Sequence, residues 1–117
     1  MVVDDFSATR TIVINQLSKL GYSNTVEAEN GISALSRLKS AFFDLVITDC
    51  SLSDMSGLEL LKQIRSEYDL KHIPVLMVTS EDLQGNIITA IKAGLNDYIV
   101  RPFEEYTFKQ KLEKIFV

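Results

Sequence analysis

The sequence predicts a doubly wound α/β domain, a parallel five-stranded sheet with helices on both faces. Three observations carry this. Five short apolar runs alternate strictly with five longer stretches of helical spacing. The best-marked runs are continuously apolar rather than alternating, as strands covered on both faces are. Four of the five strands end in residues able to do chemistry: Asp4-Asp5, Asp49, Thr79 and Arg101. Strict alternation implies right-handed crossovers between parallel strands, so all strand C-termini share one edge, where open α/β sheets bind ligands.

Met1-Val2-Val3 opens the chain as a strand running into Asp4-Asp5. Ser7 reads as the N-cap of a helix through Leu20, with Val13, Leu17 and Leu20 at i, i+4, i+7 and Gly21 as the stop. A second strand is weakly marked at 25–28. Asn30-Gly31 turns into a helix carrying Ile32, Leu35 and Leu38 at three-residue spacing and ending near Ser40-Ala41. Leu45-Val46-Ile47 is the third strand, from whose tip Asp49 emerges. Leu58, Leu61 and Ile64 form the inner stripe of a helix from near Gly57 to about Tyr68. Pro74 opens the fourth strand, Val75-Leu76-Met77-Val78, which ends in Thr79-Ser80-Glu81. A helix around 86–93 carries Ile87, Ile88 and Ile91 and is closed by Gly94. Tyr98-Ile99-Val100 is the last strand, ending in Arg101-Pro102. The final helix carries Phe108, Leu112 and Ile115 on one face, with Lys109, Lys111 and Lys114 towards its C-terminus, where positive charge suits the helix dipole.

The 117 residues form one expected domain, 1–117, without repeats, low-complexity stretches or a linker. Composition, 46% hydrophobic and 24% charged, is that of a globular protein. A net charge of −4 argues against a nucleic-acid surface, which needs clustered Lys and Arg. No apolar stretch approaches the roughly 20 residues that cross a bilayer. A single cysteine points to a reducing, cytoplasmic setting.

Carboxylates gathered at one sheet edge need compensation: two like charges about 4 Å apart repel by about 4 kcal/mol at an effective dielectric of about 20. Oxygen-only donors on loops suit Mg²⁺, which takes one or two carboxylates, keeps waters and accepts a phosphoryl oxygen. Asp49 is then the candidate nucleophile, since Asp forms acyl phosphates, and the metal and Arg101 would neutralise phosphoryl oxygens. Taken singly, an acidic residue at a strand end is most often a cap or turn former; the convergence of four strand ends decides against that here. Cys50 reads as an ordinary small residue beside the site. His72, the one histidine, has no second ligand near it in sequence.

Val2-Val3-Asp4-Asp5-Phe6-Ser7, Ala28-Glu29-Asn30-Gly31, Asp49 with Met55-Ser56-Gly57-Leu58-Glu59-Leu60-Leu61, Pro74-Val75-Leu76-Met77-Val78-Thr79, Ala93-Gly94 and Tyr98-Ile99-Val100-Arg101-Pro102-Phe103 together resemble the receiver domain of bacterial two-component response regulators, most of all the chemotaxis regulators. The resemblance spans essentially the whole chain. It implies a flavodoxin-like sheet of order 2-1-3-4-5, an order that comes from the family. It implies a signalling switch rather than a metabolic enzyme: Asp49 accepts a phosphoryl group from a histidine kinase. Asp5, Asp49 and the Ser51 backbone carbonyl would hold Mg²⁺, with Asp4 reaching the ion through water. Thr79 would bond the phosphoryl group and Tyr98 would follow it inward, changing the face of the fourth helix, fifth strand and fifth helix. Ile87, Ile91, Tyr98 and Lys111 are the expected surface for a downstream target or adjoining output domain. The Arg101-Pro102 bond would be cis.

Three departures stand out. Arg101 replaces the family's Lys, and a planar guanidinium is no neutral substitute for a point charge. Ser53 stands where Pro is usual, which leaves the backbone freer. The short ends suggest a domain cut from a larger protein. Arg101 also motivates an alternative, a degenerate receiver working as a phosphorylation-independent interaction module. An aspartyl phosphohydrolase is disfavoured because Ser51 occupies the place of its second Asp. A flavin module is disfavoured because the first loop is acidic.

Overall fold

The computed structural model describes residues 1–80 and 84–116, and the surroundings of their side chains outside 84–86. The elements are β1 (Val2–Val3), α1 (Ser7–Lys19), β2 (Glu27–Ala28), α2 (Gly31–Ser40), β3 (Val46–Asp49), α3 (Gly57–Ser66), β4 (Val75–Thr79), α4 (Gln84–Lys92), β5 (Asp97–Val100) and α5 (Glu105–Ile115). The five strands form one parallel sheet in the order β2-β1-β3-β4-β5. This is the expected architecture. Glu81, expected at the end of the fourth strand, lies outside the described residues.

Continuous apolar strands follow from a core on each face. Val3, Val46, Val75 and Met77 point to one side, against Ala34, Leu35 and Leu38 of α2, Leu60, Leu61 and Ile64 of α3, and Ala90 of α4. Val2, Ile47, Leu76, Val78 and Ile99 point to the other, against Val13 and Leu17 of α1 and Phe108 and Leu112 of α5. Neighbouring residues along each strand alternate between the two cores, as a two-residue period demands.

Several local expectations shift. Ser7 is the first residue of α1 rather than its cap. The first intrahelical bond runs from the Arg10 N–H to the Phe6 carbonyl, which makes Phe6 the N-cap residue. In α2, Ile32 is exposed, while Gly31, Ala34, Leu35 and Leu38 are buried. The inner face follows i, i+3, i+4, i+7, and three-residue steps drift off it. The third helix stops at Ser66, with Glu67 in extended backbone. In α4, Ile87 and Ala90 face inward, whereas Ile88 and Ile91 are both exposed.

At the edge of the sheet opposite the strand C-termini, Arg65 joins three segments. Its Nε donates to the Gly94 carbonyl (3.0 Å), its Nη1 to the carbonyls of Lys71 (3.1 Å) and Ile73 (2.7 Å), and its Nη2 to Asn96 Oδ1 (2.8 Å). Asn96 Oδ1 also accepts the Val75 N–H at 2.9 Å, so the end of α3, the loop before β4 and the turn before β5 share one network.

Candidate functional site

After β1 the chain moves outward to β2, and after β2 it crosses back to β3, so strand order reverses between β1 and β3. Crevices outside the strand C-termini at such a reversal are where open sheets take ligands. Val3 pairs with Thr48, which brings Asp4 and Asp49 level at the two lips of that crevice. β4 and β5 complete the edge: Thr79 pairs with Val100, and the Arg101 N–H donates to the Thr79 carbonyl at 2.7 Å. The Arg101-Pro102 bond is cis.

Arg101 returns its side chain across the edge. Its Nη2 lies 2.9 Å from Asp49 Oδ1 and its Nη1 3.6 Å from Asp4 Oδ2, so one guanidinium spans both carboxylates. Asp4 is buried and its Oδ1 accepts the Phe6 N–H at 2.9 Å. Asp5 accepts the Ser53 N–H at 2.9 Å. Thr79 is buried within β4. Burial holds the Asp49 carboxyl above its ordinary range. Arg101 opposes that, Asp4 and then Asp5 add to it, and the Cys50 backbone N–H works against it between the two. Asp5 is thus near enough for its charge to act on Asp49.

Glycine makes the geometry possible. A Cβ on Gly57, at the start of α3, would stand 2.5 Å from the Asp49 carbonyl oxygen and 2.9 Å from Cys50 Cα. The Gly57 N–H donates to the Cys50 carbonyl at 2.9 Å, so α3 begins directly against the tip of β3.

Among the described residues no three His, Cys, Asp or Glu side chains form a metal-holding group. Mg²⁺ does not require one: two carboxylates, a carbonyl and waters suffice. The donors here are oxygens only, and the carboxylates of Asp4, Asp5 and Asp49 face a single guanidinium, which leaves negative charge for a hard cation, so the residues fit that ion.

The expected switch surface is brought together in part. Lys111 Nζ lies 2.9 Å from Asp97 Oδ1 and 5.2 Å from the centre of the Tyr98 ring, so it is tied within the chain. Tyr98 is half-buried at the edge of the first core. Ile91 is exposed, but Ile87 is buried and offers no outer surface.

Three contributors carry no clear sequence signal. Arg10 donates to the Asp4 carbonyl through Nη1 (2.6 Å) and pairs with Glu27 through Nε (2.9 Å). Its signal was the topology itself, since β2 lies beside β1 with Glu27 level with Val2. Asp97 showed only as a polar residue before a strand. Asp54 caps α2 from 23 residues away, a contact with no local signature.

A doubly wound parallel sheet of order 2-1-3-4-5, with carboxylates and a guanidinium at its reversal point, defines a flavodoxin-like domain. The family model of the response regulator receiver domain matches residues 1–113, and the chain belongs to that family. It is similar to the chemotaxis protein CheY-3 of Vibrio cholerae, 52% identical over 116 residues that cover 99% of this chain and 89% of that protein. The chemotaxis protein CheY of Pseudomonas aeruginosa is 47% identical, over 99% of this chain and 94% of its own. Among solved structures, the receiver domain of a sensor histidine kinase from Pseudomonas aeruginosa superposes with a TM-score of 0.87 at 26% identity, covering 99% of this chain and 95% of that one; it was described with a magnesium ion coordinated in its active site cleft. Among the described residues no helix is long and apolar enough to cross a membrane.

Proposed function

We propose that residues 1–117 act as a cytoplasmic phosphoacceptor switch of a two-component system. A carboxylate oxygen of Asp49 attacks the phosphorus of a phosphohistidine on a partner kinase. The P–N bond breaks with its electron pair going to the imidazole, and Asp49 becomes an acyl phosphate. Asp5, Asp49 and the Ser51 carbonyl would hold Mg²⁺, with Asp4 reached through water; when bound, the ion neutralises charge on the phosphoryl oxygens. Asp49 supplies the nucleophile from a rigid strand tip. Arg101, already within 2.9 Å of it, follows the new negative charge onto the phosphoryl group, and Thr79 donates its hydroxyl. The added roughly −1.5 to −2 charges draw on these donors, and Tyr98, on the strand beside that of Thr79, transmits the change to Ile91 and Lys111 on α4-β5-α5.

The observation that carries this reading is the Asp49 carboxylate at the strand-order reversal, in contact with Arg101 and in the field of Asp4 and Asp5. Incubation with a small phosphodonor and Mg²⁺, followed by intact mass and peptide mapping, tests it. One phosphoryl group on the Asp49 peptide is expected, lost without Mg²⁺; a group elsewhere, or none, refutes it. The Arg101 bridge also favours a second reading, an interaction module independent of phosphate, in which partner binding survives Asp49→Asn undiminished and Mg²⁺ does not bind.

A further inference from the structure

The loop between β3 and α3 is fastened at two adjacent residues. The Ser53 N–H donates to Asp5 Oδ1 at 2.9 Å. Asp54 reaches the other way: its Oδ1 accepts the Gly31 N–H (2.9 Å) and its Oδ2 the Ile32 N–H (2.8 Å), the first two amides of α2. Asn30 independently caps the same helix through the Ser33 N–H at 2.8 Å, so α2 does not depend on Asp54 for its start. Buried Leu52, the Ser51–Ser56 bridge and the Leu52 N–H on the Met55 carbonyl (3.1 Å) close the loop. The Met55 thioether packs directly over Gly31, where a Cβ would require that side chain to shift.

Ser53 and Asp54 are exposed. An exposed amide left to itself bonds water, so its place on Asp5 depends on how the loop is held. Proline at 53 could not donate, having no N–H. One N–H occupies one of roughly four lone-pair positions of a carboxylate, which fixes the side chain and leaves the other oxygen for a cation.

We propose that Ser53 and Asp54 are positioning residues for Asp5: the Ser53 amide orients the Asp5 carboxylate towards the divalent cation, and Asp54, seated on the first turn of α2, holds that amide in place. The inference rests on the metal role assigned to Asp5 above. Removing such an outer partner of a metal-binding carboxylate typically weakens the metal by about 10–100-fold.

The test combines two measurements on the whole chain. Amide hydrogen exchange without metal should show Ser53 protected in the wild type and exchanging about tenfold faster in Asp54→Ala, with intermediate protection in Asp54→Asn, whose single acceptor oxygen can replace only one of the two Asp54 contacts. Calorimetric titration with Mg²⁺ alone should show affinity about tenfold weaker in both Asp54→Ala and Ser53→Pro, with Asp54→Asn falling between Asp54→Ala and the wild type. In Ser53→Pro the Gly31 and Ile32 amides should stay protected, which separates orientation of Asp5 from capping of α2. Equal Ser53 exchange in the wild type and Asp54→Ala overturns the proposal, as does undiminished Mg²⁺ affinity in Ser53→Pro. A wild-type chain that takes up no Mg²⁺ refutes the metal role in the proposed function instead, and the exchange comparison still decides whether the loop positions Asp5.

Discussion

Gly57→Ala places a methyl group where the structure has no room. The new Cβ would lie 2.5 Å from the Asp49 carbonyl oxygen, against 3.4 Å or more for ordinary contact, so about 0.9 Å must be found. The obstructing atoms are backbone, held by the Cys50 N–H on the Val78 carbonyl (3.0 Å) and the Gly57 N–H on the Cys50 carbonyl (2.9 Å), and they cannot swing aside as a side chain does. Overpacking of this kind costs about 1–3 kcal/mol, here towards the upper end. Alanine returns about 0.5–1 kcal/mol through the unfolded chain and helix propensity. A net loss of about 1.5 kcal/mol follows, or about 6 °C in Tm for a domain of this size. The displaced atoms belong to Asp49 itself, so phosphorylation should slow by about tenfold to a hundredfold, the scale set by an ångström of misplacement. Urea unfolding followed by circular dichroism gives the first quantity and timed intact mass the second. Stability within about 0.5 kcal/mol of wild type, together with an unchanged rate, would refute the reasoning. Gly21→Ala is the control: its φ of +96° strains any side chain, but nothing lies within 4 Å, so stability should fall while the phosphorylation rate holds.

Arg101→Lys should still phosphorylate at Asp49 but replaces a two-carboxylate fork by a point charge, so the response of the Tyr98 resonances to phosphate should change; identical activation of both proteins removes the point. Asp49→Asn should abolish phosphorylation and flatten the acid limb of the stability curve. Because the folded carboxyl titrates above its unfolded value, its contribution is largest below that unfolded value and is lost as pH rises through the folded one, which urea melts from acid to neutral pH will show. Arg65→Met should destabilise by about 2–3 kcal/mol, since the buried residue Ile73 loses its carbonyl's donor while the other acceptors reach water; a change under about 1 kcal/mol in urea melts counts against it.

The sheet was legible because burial on both faces writes itself as unbroken apolar runs, as in Val75-Leu76-Met77-Val78, and because strict alternation leaves few topologies. The meeting of Asp4, Asp49 and Arg101 followed from the same alternation. Helix faces were less legible. Ile32, Ile87, Ile88 and Ile91 are chemically alike, and only the neighbours they meet separate the buried Ile87 from the three exposed ones. Contacts between loops were not legible at all. The Ser53 amide on Asp5 involves a backbone group that every residue but proline carries, and the Lys111–Asp97 pair joins residues 14 apart whose nearness depends on α5 folding back over β5.

The Arg65 network bears on how α4 is able to move. Gly94, two residues beyond that helix, is anchored by a guanidinium shared with two other segments, while the other end of α4 follows β4. A rod moored at one end pivots rather than slides. Displacement of α4 should therefore grow from fulcrum to tip, so the Thr79 response proposed above would be read out as an angle.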